Sequence, residues 1–195
     1  DGGGRGSVLV DKYLQSKYVQ KVIAIPGNDL MTLNDQAEIH PNIKTTDINE
    51  IKKICKINKV DLVDVAQDDA VAVGLTDALK KTGLMVFGPT KKAGQIEWDK
   101  SWSKNFMQML KIPTAKYQIF NTESSALKFI KTQVENQWYI KASGLAGGKG
   151  AIFAENNKKA EEAIKQMKDF GNAGKTFLIE ECLKEGILCS IDVNS

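Results

Sequence analysis

The apolar positions of this chain alternate between a helical period and short solid runs. Val10, Tyr13, Leu14 and Tyr18 recur at helical spacing and predict a helix over about residues 7–17. Residues 21–25 (Lys-Val-Ile-Ala-Ile) form a short buried-strand run, stopped by the turn signal Pro26-Gly27-Asn28. Asp47, three residues before Glu50, has the spacing of a helix N-cap, and that helix runs to about residue 57. A strand at 61–65 comes next, then a helix over 69–81 with Val71, Leu75, Ala78 and Leu79 inward. Another strand at 84–87 ends in Gly88-Pro89-Thr90. Strands alternating with helices imply a parallel sheet with helices on both faces.

The order changes after a helix predicted over 99–110, whose Trp102, Phe106 and Met109 make an apolar stripe. A strand at 116–120, a helix at 122–134, a hairpin across 138–153, a helix at 157–168 and a strand at 176–181 follow. That order fits an antiparallel sheet with helices on one face. The fold class is therefore α/β: a doubly wound parallel-sheet domain over residues 1–98, then an α+β unit over 99–195. The join is expected between Lys91 and Pro113. Both ends read as cut, because a glycine run opens the chain where a strand would come first, and the last residues read as part of a strand.

Composition narrows the class. At 195 residues, 42% of them hydrophobic, the chain has ample material for a core. A formal net charge of +3, spread without any basic block, argues against nucleic-acid and membrane partners. No run of about eighteen apolar residues and no signal peptide occurs, so the expectation is a soluble, cytoplasmic protein. A monomer or weak homodimer is expected. Cys55, Cys182 and Cys189 lack metal-ligand spacing and read as small buried hydrophobes in a reducing compartment.

The densest chemistry lies in Trp138-Tyr-Ile-Lys-Ala-Ser-Gly-Leu-Ala-Gly-Gly-Lys-Gly-Ala-Ile-Phe153, two apolar strands joined by a loop with four glycines in seven residues. Backbone N–H groups in such a loop can approach an anion closely. Lys141 and Lys149 add two positive charges, a setting for nucleotide phosphates; the alternative is a mobile hairpin tip. A Walker A loop would need Gly-Lys-Ser/Thr opening a helix, whereas Gly148-Lys149-Gly150 leads into a strand. A glycine loop between strands is the arrangement of kinases and ATP-grasp enzymes. The kinase reading fails, since neither His-Arg-Asp nor Asp-Phe-Gly occurs.

In a doubly wound domain, ligands gather at the carboxyl ends of strands. Three loops stand there: Gly2-Gly3-Gly4-Arg5, Pro26-Gly27-Asn28 and Gly88-Pro89-Thr90. The first leads into a helix and combines free N–H groups, the helix dipole and a guanidinium, which suits phosphate. It departs from the dinucleotide fingerprint, whose third glycine falls on Ser7. Taken singly, the other two read as ordinary turns.

As an ordered set these pieces resemble the glycinamide ribonucleotide synthetase family, the phosphoribosylamine–glycine ligases, which are ATP-grasp enzymes of purine synthesis. The resemblance runs through Gly-Gly-Gly-Arg5, Pro26-Gly-Asn28, Asp61-Leu-Val-Asp-Val-Ala-Gln-Asp-Asp69 and Val86-Phe-Gly-Pro-Thr90. It continues through Asp99-Lys100, Lys104-Asn-Phe-Met107, Ile112-Pro-Thr114, Lys141-Ala-Ser-Gly-Leu-Ala-Gly-Gly-Lys-Gly150 and Ile179-Glu-Glu181.

The resemblance implies that ATP activates glycine as an acyl phosphate, which 5-phosphoribosylamine attacks to give glycinamide ribonucleotide, ADP and phosphate. It assigns Lys100, Lys141, Gly144, Gly147, Gly148, Lys149 and Gly150 to the ATP phosphates, and Glu180 and Glu181 to the adenine end. Gly3, Gly4, Arg5, Pro26, Gly27, Asn28, Asp68, Gly88, Pro89 and Thr90 are implied to hold the phosphoribosyl group. The partners are then small molecules. Magnesium or manganese is implied with ligands beyond Ser195, so no metal ligand or catalytic residue is assigned here, and these 195 residues alone are expected not to turn over.

Three positions depart from the family pattern. Gly6-Ser7-Val8 stands where Glu-His-Ala is usual, and Ala66-Gln67-Asp68 where Gly-Pro-Glu is usual. Lys184-Glu-Gly-Ile-Leu188 replaces Gly-Glu-Glu and offers only Glu185 for the ribose hydroxyls. The alternatives are another ATP-grasp ligase, of carboxylase or carbamoyl-phosphate type, and a nucleotide-binding module without catalysis. Other conspicuous residues have plain structural readings. His40 lies in a loop, and Trp98 and Trp102 pack near the join. Asp64 needs a partner, Asp68 and Asp69 bind a cation or cap a helix, and Lys158 and Lys159 face solvent beside Glu161 and Glu162.

Overall fold

A computed structural model describes residues 1–183, and the chain divides into two compact units, the first Asp1–Gln95 and the second beginning at Ile96. In the first unit, α1 (Gly4–Leu14) turns Gly6 and Val10 inward. β1 (Val22–Ala24) pairs in parallel with β2 (Ala37–Ile39), Ile23 lying opposite Glu38. α2 (Ile48–Ile57) is capped by the Asp47 carboxylate, which accepts from the Glu50 N–H, and it buries Ile51 and Cys55. β3 (Leu62–Asp64) is followed by α3 (Asp68–Val73) and α4 (Leu75–Lys80), then by β4 (Met85–Phe87) parallel to β3.

The differences from the sequence reading have local causes. The single helix expected over 69–81 is two, because Gly74 between them adopts φ 87°, a left-handed conformation that glycine tolerates and that ends helices. β2 escaped prediction because Glu38 interrupts its three residues and leaves no apolar run. The parallel strands form two separate two-stranded sheets, β1–β2 and β3–β4, where one continuous sheet was expected. Leu62, Met85 and Phe87 share one face of β3–β4 and are exposed, so among the described residues the helical cover expected of that face is incomplete.

Asp64, the last residue of β3, accepts a hydrogen bond of 2.7 Å from the Tyr13 hydroxyl of α1. Burial, then this bond, then the carboxylate charge push the Tyr13 phenol up to about 12. The folded value exceeds the ordinary value of 10.0. The contact therefore stabilises fully below pH about 10 and is lost as pH rises through about 12. Tyr13→Phe is expected to cost about 1 kcal/mol at neutral pH, after allowing for partial solvent exposure. Urea denaturation of both proteins between pH 7 and 12 checks this. The gap between them should close above pH 10, and a constant gap would contradict the assignment.

The second unit follows α5 (Gln95–Trp98), which spans the boundary, and opens with α6 (Lys100–Met109). Then come β5 (Tyr117–Phe120), α7 (Glu123–Thr132), β6 (Trp138–Ala142), β7 (Ala151–Ala154), α8 (Asn157–Gln166), a 3-10 stretch (Met167–Gly174) and β8 (Phe177–Glu181). The strands form one antiparallel sheet in the order β5-β8-β6-β7. Alternation along β6 sends Trp138, Ile140 and Ala142 to one face, where they pack with Ile130 of α7 and Ala160, Ala163 and Ile164 of α8. Trp138 meets the Phe129 ring edge-on at 6.5 Å and donates its indole N–H to Asn157 Oδ1 at 2.7 Å.

α6 corrects the sequence reading. Its buried residues are Ser101 and Lys104, whereas Met109 of the expected apolar stripe is 69% exposed. Trp102 and Phe106 stack on one another at 5.0 Å. Among the described residues, no helix is long and apolar enough to cross a membrane. Cys55 is buried, which raises its thiol pKa, and Cys182 is a partly exposed free thiol. Cys189 and Glu185 lie outside the described residues.

Candidate functional site

The strand alternation that builds the core also builds the opposite face. Tyr139 and Lys141 of β6 stand there beside Leu178 and Glu180 of β8, and Tyr117 of β5 lies across from Glu180. Glu180 is 8% exposed and holds two ammonium groups: Lys141 Nζ lies 3.0 Å from its Oε2 and Lys104 Nζ 3.2 Å from its Oε1. Lys104 also donates to the Thr114 hydroxyl. Each lysine stacks over a tyrosine, Lys104 at 5.5 Å from the Tyr117 ring and Lys141 at 5.2 Å from the Tyr139 ring. Two cations around one carboxylate leave one net positive charge on this face.

The start of α6 is tied to the end of β6. The Lys100 N–H donates to the Ser143 carbonyl and the Ser101 N–H to the Ser143 hydroxyl, both at 2.9 Å. Ser143 in turn donates to Asp99 Oδ1 at 2.8 Å, the same oxygen that caps the helix by accepting from the Trp102 N–H. Asp99 thereby anchors the helix turn that carries Lys100 two residues beyond Lys141.

The glycine loop is closed at its base and open at its tip. Ala142 N–H donates to the Gly150 carbonyl at 2.7 Å, and a side chain at Gly144 would come within 3.0 Å of the Ala173 backbone. Gly147 and Gly148 at the tip have φ 57° and 77°, are exposed and have open space around them. Lys149 is exposed beside them. This loop can turn N–H groups and an ammonium toward an anion.

The two adjacent carboxylates diverge. Glu181 points to the helix-covered face, where its Oε1 accepts from the Lys116 N–H at 3.1 Å. Its side chain therefore does not join Glu180, Lys141 and Lys104. Lys104 was not singled out from sequence as a site residue. The available signal was its place one turn beyond Lys100 on α6, away from the Trp102, Phe106 and Met109 stripe of that helix.

In the first unit, Asn28 joins the first two loops, its Nδ2 donating to the Gly2 carbonyl at 3.1 Å and to the Ser7 hydroxyl at 2.8 Å. Gly27, at φ 75°, sits against Ile39, where a side chain would collide. Gly3, Gly4 and Arg5 are exposed beside this junction, and Pro26 is half-buried. Gly88 packs against Val65 and Thr76 at the end of β3, with Pro89 exposed, and the Thr90 hydroxyl accepts from the Ala93 N–H. That third loop shares no hydrogen bond with the other two among the described residues. Asp68 is exposed and accepts from the Asp69 N–H, while Asp69 accepts from the Thr45 hydroxyl. Neither carboxylate caps α3. His40 pairs with Glu38 at 2.9 Å, a structural contact.

A parallel α/β unit is thus followed by an antiparallel sheet with helices on one face and, on the other, a strand lysine, a buried glutamate and a glycine-loop hairpin. Those are the beginnings of an ATP-grasp protein. Two family models match in series: phosphoribosylglycinamide synthetase, N domain, over residues 1–97, and its ATP-grasp (A) domain over 98–193. The chain belongs to the phosphoribosylglycinamide synthetase family.

The trifunctional purine biosynthetic protein adenosine-3 of Chironomus tentans is 39% identical over 201 residues, which cover 99% of this chain and 15% of that protein. The phosphoribosylamine–glycine ligase of Haemophilus influenzae is 38% identical over 184 residues, 93% of this chain and 42% of the relative. The crystal structure of phosphoribosylamine–glycine ligase from Thermotoga maritima shares the fold with a TM-score of 0.67 at 24% identity, over 95% of this chain and 43% of that one. The chain spans less than half the length of each of these relatives.

Proposed function

We propose that these residues form the sugar-phosphate-binding unit and the first ATP-binding part of a cytoplasmic phosphoribosylamine–glycine ligase, acting as a monomer or weak dimer. A carboxylate oxygen of glycine attacks the γ-phosphorus of ATP and ADP leaves. The amine of 5-phosphoribosylamine then attacks the acyl carbon, inorganic phosphate leaves, and the nitrogen loses a proton to give glycinamide ribonucleotide. Phosphoryl transfer of this kind depends on positioning and on cations near the migrating charge.

The observation that supports the nucleotide half is Lys141, at the end of β6, beside a glycine loop with an open tip. Lys141, Lys100, Lys149 and the loop N–H groups would hold the phosphates, and the Tyr139–Phe153 ring pair, 5.4 Å apart, offers an apolar surface on the same sheet face. Magnesium or manganese would neutralise the phosphates. Among the described residues no three histidine, cysteine or acidic groups converge to hold a metal, so no step is assigned to one. Glycine loops and Arg5 in the first unit would take the phosphoribosyl group, with Asp68, Gly88, Pro89 and Thr90 beside it.

Calorimetric titration of the chain with Mg·ATP tests the nucleotide half, and absence of binding at millimolar nucleotide would sink it. Ribose 5-phosphate serves as the probe for the first unit. Arg5→Ala is expected to weaken ribose 5-phosphate by roughly tenfold or more, the size of a lost charge-assisted contact, and to leave Mg·ATP affinity unchanged. If both affinities fell together, two separate sites would be the wrong division.

A further inference from the structure

We propose that Lys104 is a positioning residue for nucleotide binding, acting through Glu180. This rests on the nucleotide reading of that sheet face. The geometry is unequal. Lys104 has an 11% exposed side chain and is fixed by Glu180 Oε1, the Thr114 hydroxyl and the Tyr117 ring. Lys141, on Glu180 Oε2, is 25% exposed and lies on the glycine-loop side of the sheet. Both ammonium groups lie over a tyrosine ring, but only Lys104 has the Thr114 hydroxyl as a further tie, and Lys141 is the more exposed of the two.

That asymmetry matters when an anion arrives. Lys141 spends one of its three N–H donors on Glu180 in the free protein, and an anion that draws its ammonium toward the glycine loop weakens that hold. A carboxylate this buried cannot be left without a partner, because an uncompensated buried charge is strongly destabilising. Lys104 supplies the partner that stays. It lets Glu180 pre-orient the Lys141 ammonium in the free state and then release it at low cost. Lys104 needs no contact with the nucleotide to do this, and its ammonium points to Oε1 and Thr114.

The test is a double-mutant cycle on the 195-residue chain, read by calorimetric titration with Mg·ATP and, separately, with tripolyphosphate. Lys104→Met should weaken both probes roughly ten- to a hundredfold, since Lys141 is then the sole ion-pair partner of Glu180 among the described residues. In a Glu180→Gln background the same substitution should change either affinity by less than about threefold, because no buried carboxylate remains to be compensated. Lys104→Arg should restore binding to Glu180-containing protein. Thermal midpoints for all variants identify any loss that merely follows unfolding: affinity falling in step with midpoint, in both backgrounds, would overturn the proposal. Equal losses in the two backgrounds with midpoints unchanged would also overturn it, since Lys104 would then touch the phosphates itself. If the unmutated chain bound neither probe, the nucleotide reading would fail first and this role with it.

Discussion

Lys141→Met weakens Mg·ATP binding by about 1.5–3 kcal/mol, roughly 10- to 150-fold in Kd, while the fold survives. The affinity loss follows from removing a charge-assisted contact to phosphate at the mouth of the glycine loop. The fold survives because Glu180 keeps Lys104 and so is not stranded in the sheet. Lys116→Met is the matched control. That lysine has an 89% exposed side chain and lies beside Glu181, on the other side of the strand alternation, so nucleotide affinity should change little. Calorimetry on both variants decides the point, and unchanged affinity in Lys141→Met would remove the nucleotide site from this face.

Trp138→Ala has the largest expected effect on stability, about 3–5 kcal/mol, the range for losing a large aromatic side chain from a packed core. Two terms combine. The indole fills the space against Phe129 and the β6–α7 contact, and its N–H satisfies Asn157 at the start of α8. Asn157 would lose that donor while still accepting weakly from the Asn136 N–H at 3.4 Å. Scanning calorimetry should show the transition of the second unit falling by on the order of 10–20 °C. A shift under about 3 °C would mean that this corner of the sheet is loosely packed.

The sequence was legible where periodicity and caps agreed. Asp47, Thr122 and Asn156 each cap a helix through a side-chain oxygen, and those helices begin within a residue or two of their predicted starts. The apolar run ending in Lys141 placed β6 correctly, and the alternation of burial along it puts Lys141 off the core face. Legibility failed where pairing in space overrides local pattern. Nothing near Lys104 in the sequence announces Glu180, 76 positions later, so a lysine on the buried side of α6 received no role of its own. Gly74 was hidden for the opposite reason: apolar residues continue on both sides of it at helical spacing, and only the left-handed φ reveals the break. Glu180 and Glu181 looked equivalent in sequence, and the period of two separates them.

The two short parallel sheets of the first unit carry a further consequence. In each pair, both strands have one side whose N–H and C=O groups find no ladder partner among the described residues. Beside one of these pairs lie the exposed side chains of Leu62, Met85 and Phe87. An open strand edge next to apolar side chains is a template on which another extended chain can pair. At high concentration, residues 1–195 are therefore expected to associate through the β3–β4 border, which light scattering against protein concentration checks. Handling at low concentration, or capping those borders with a lysine or proline, follows directly from the shape of the sheets.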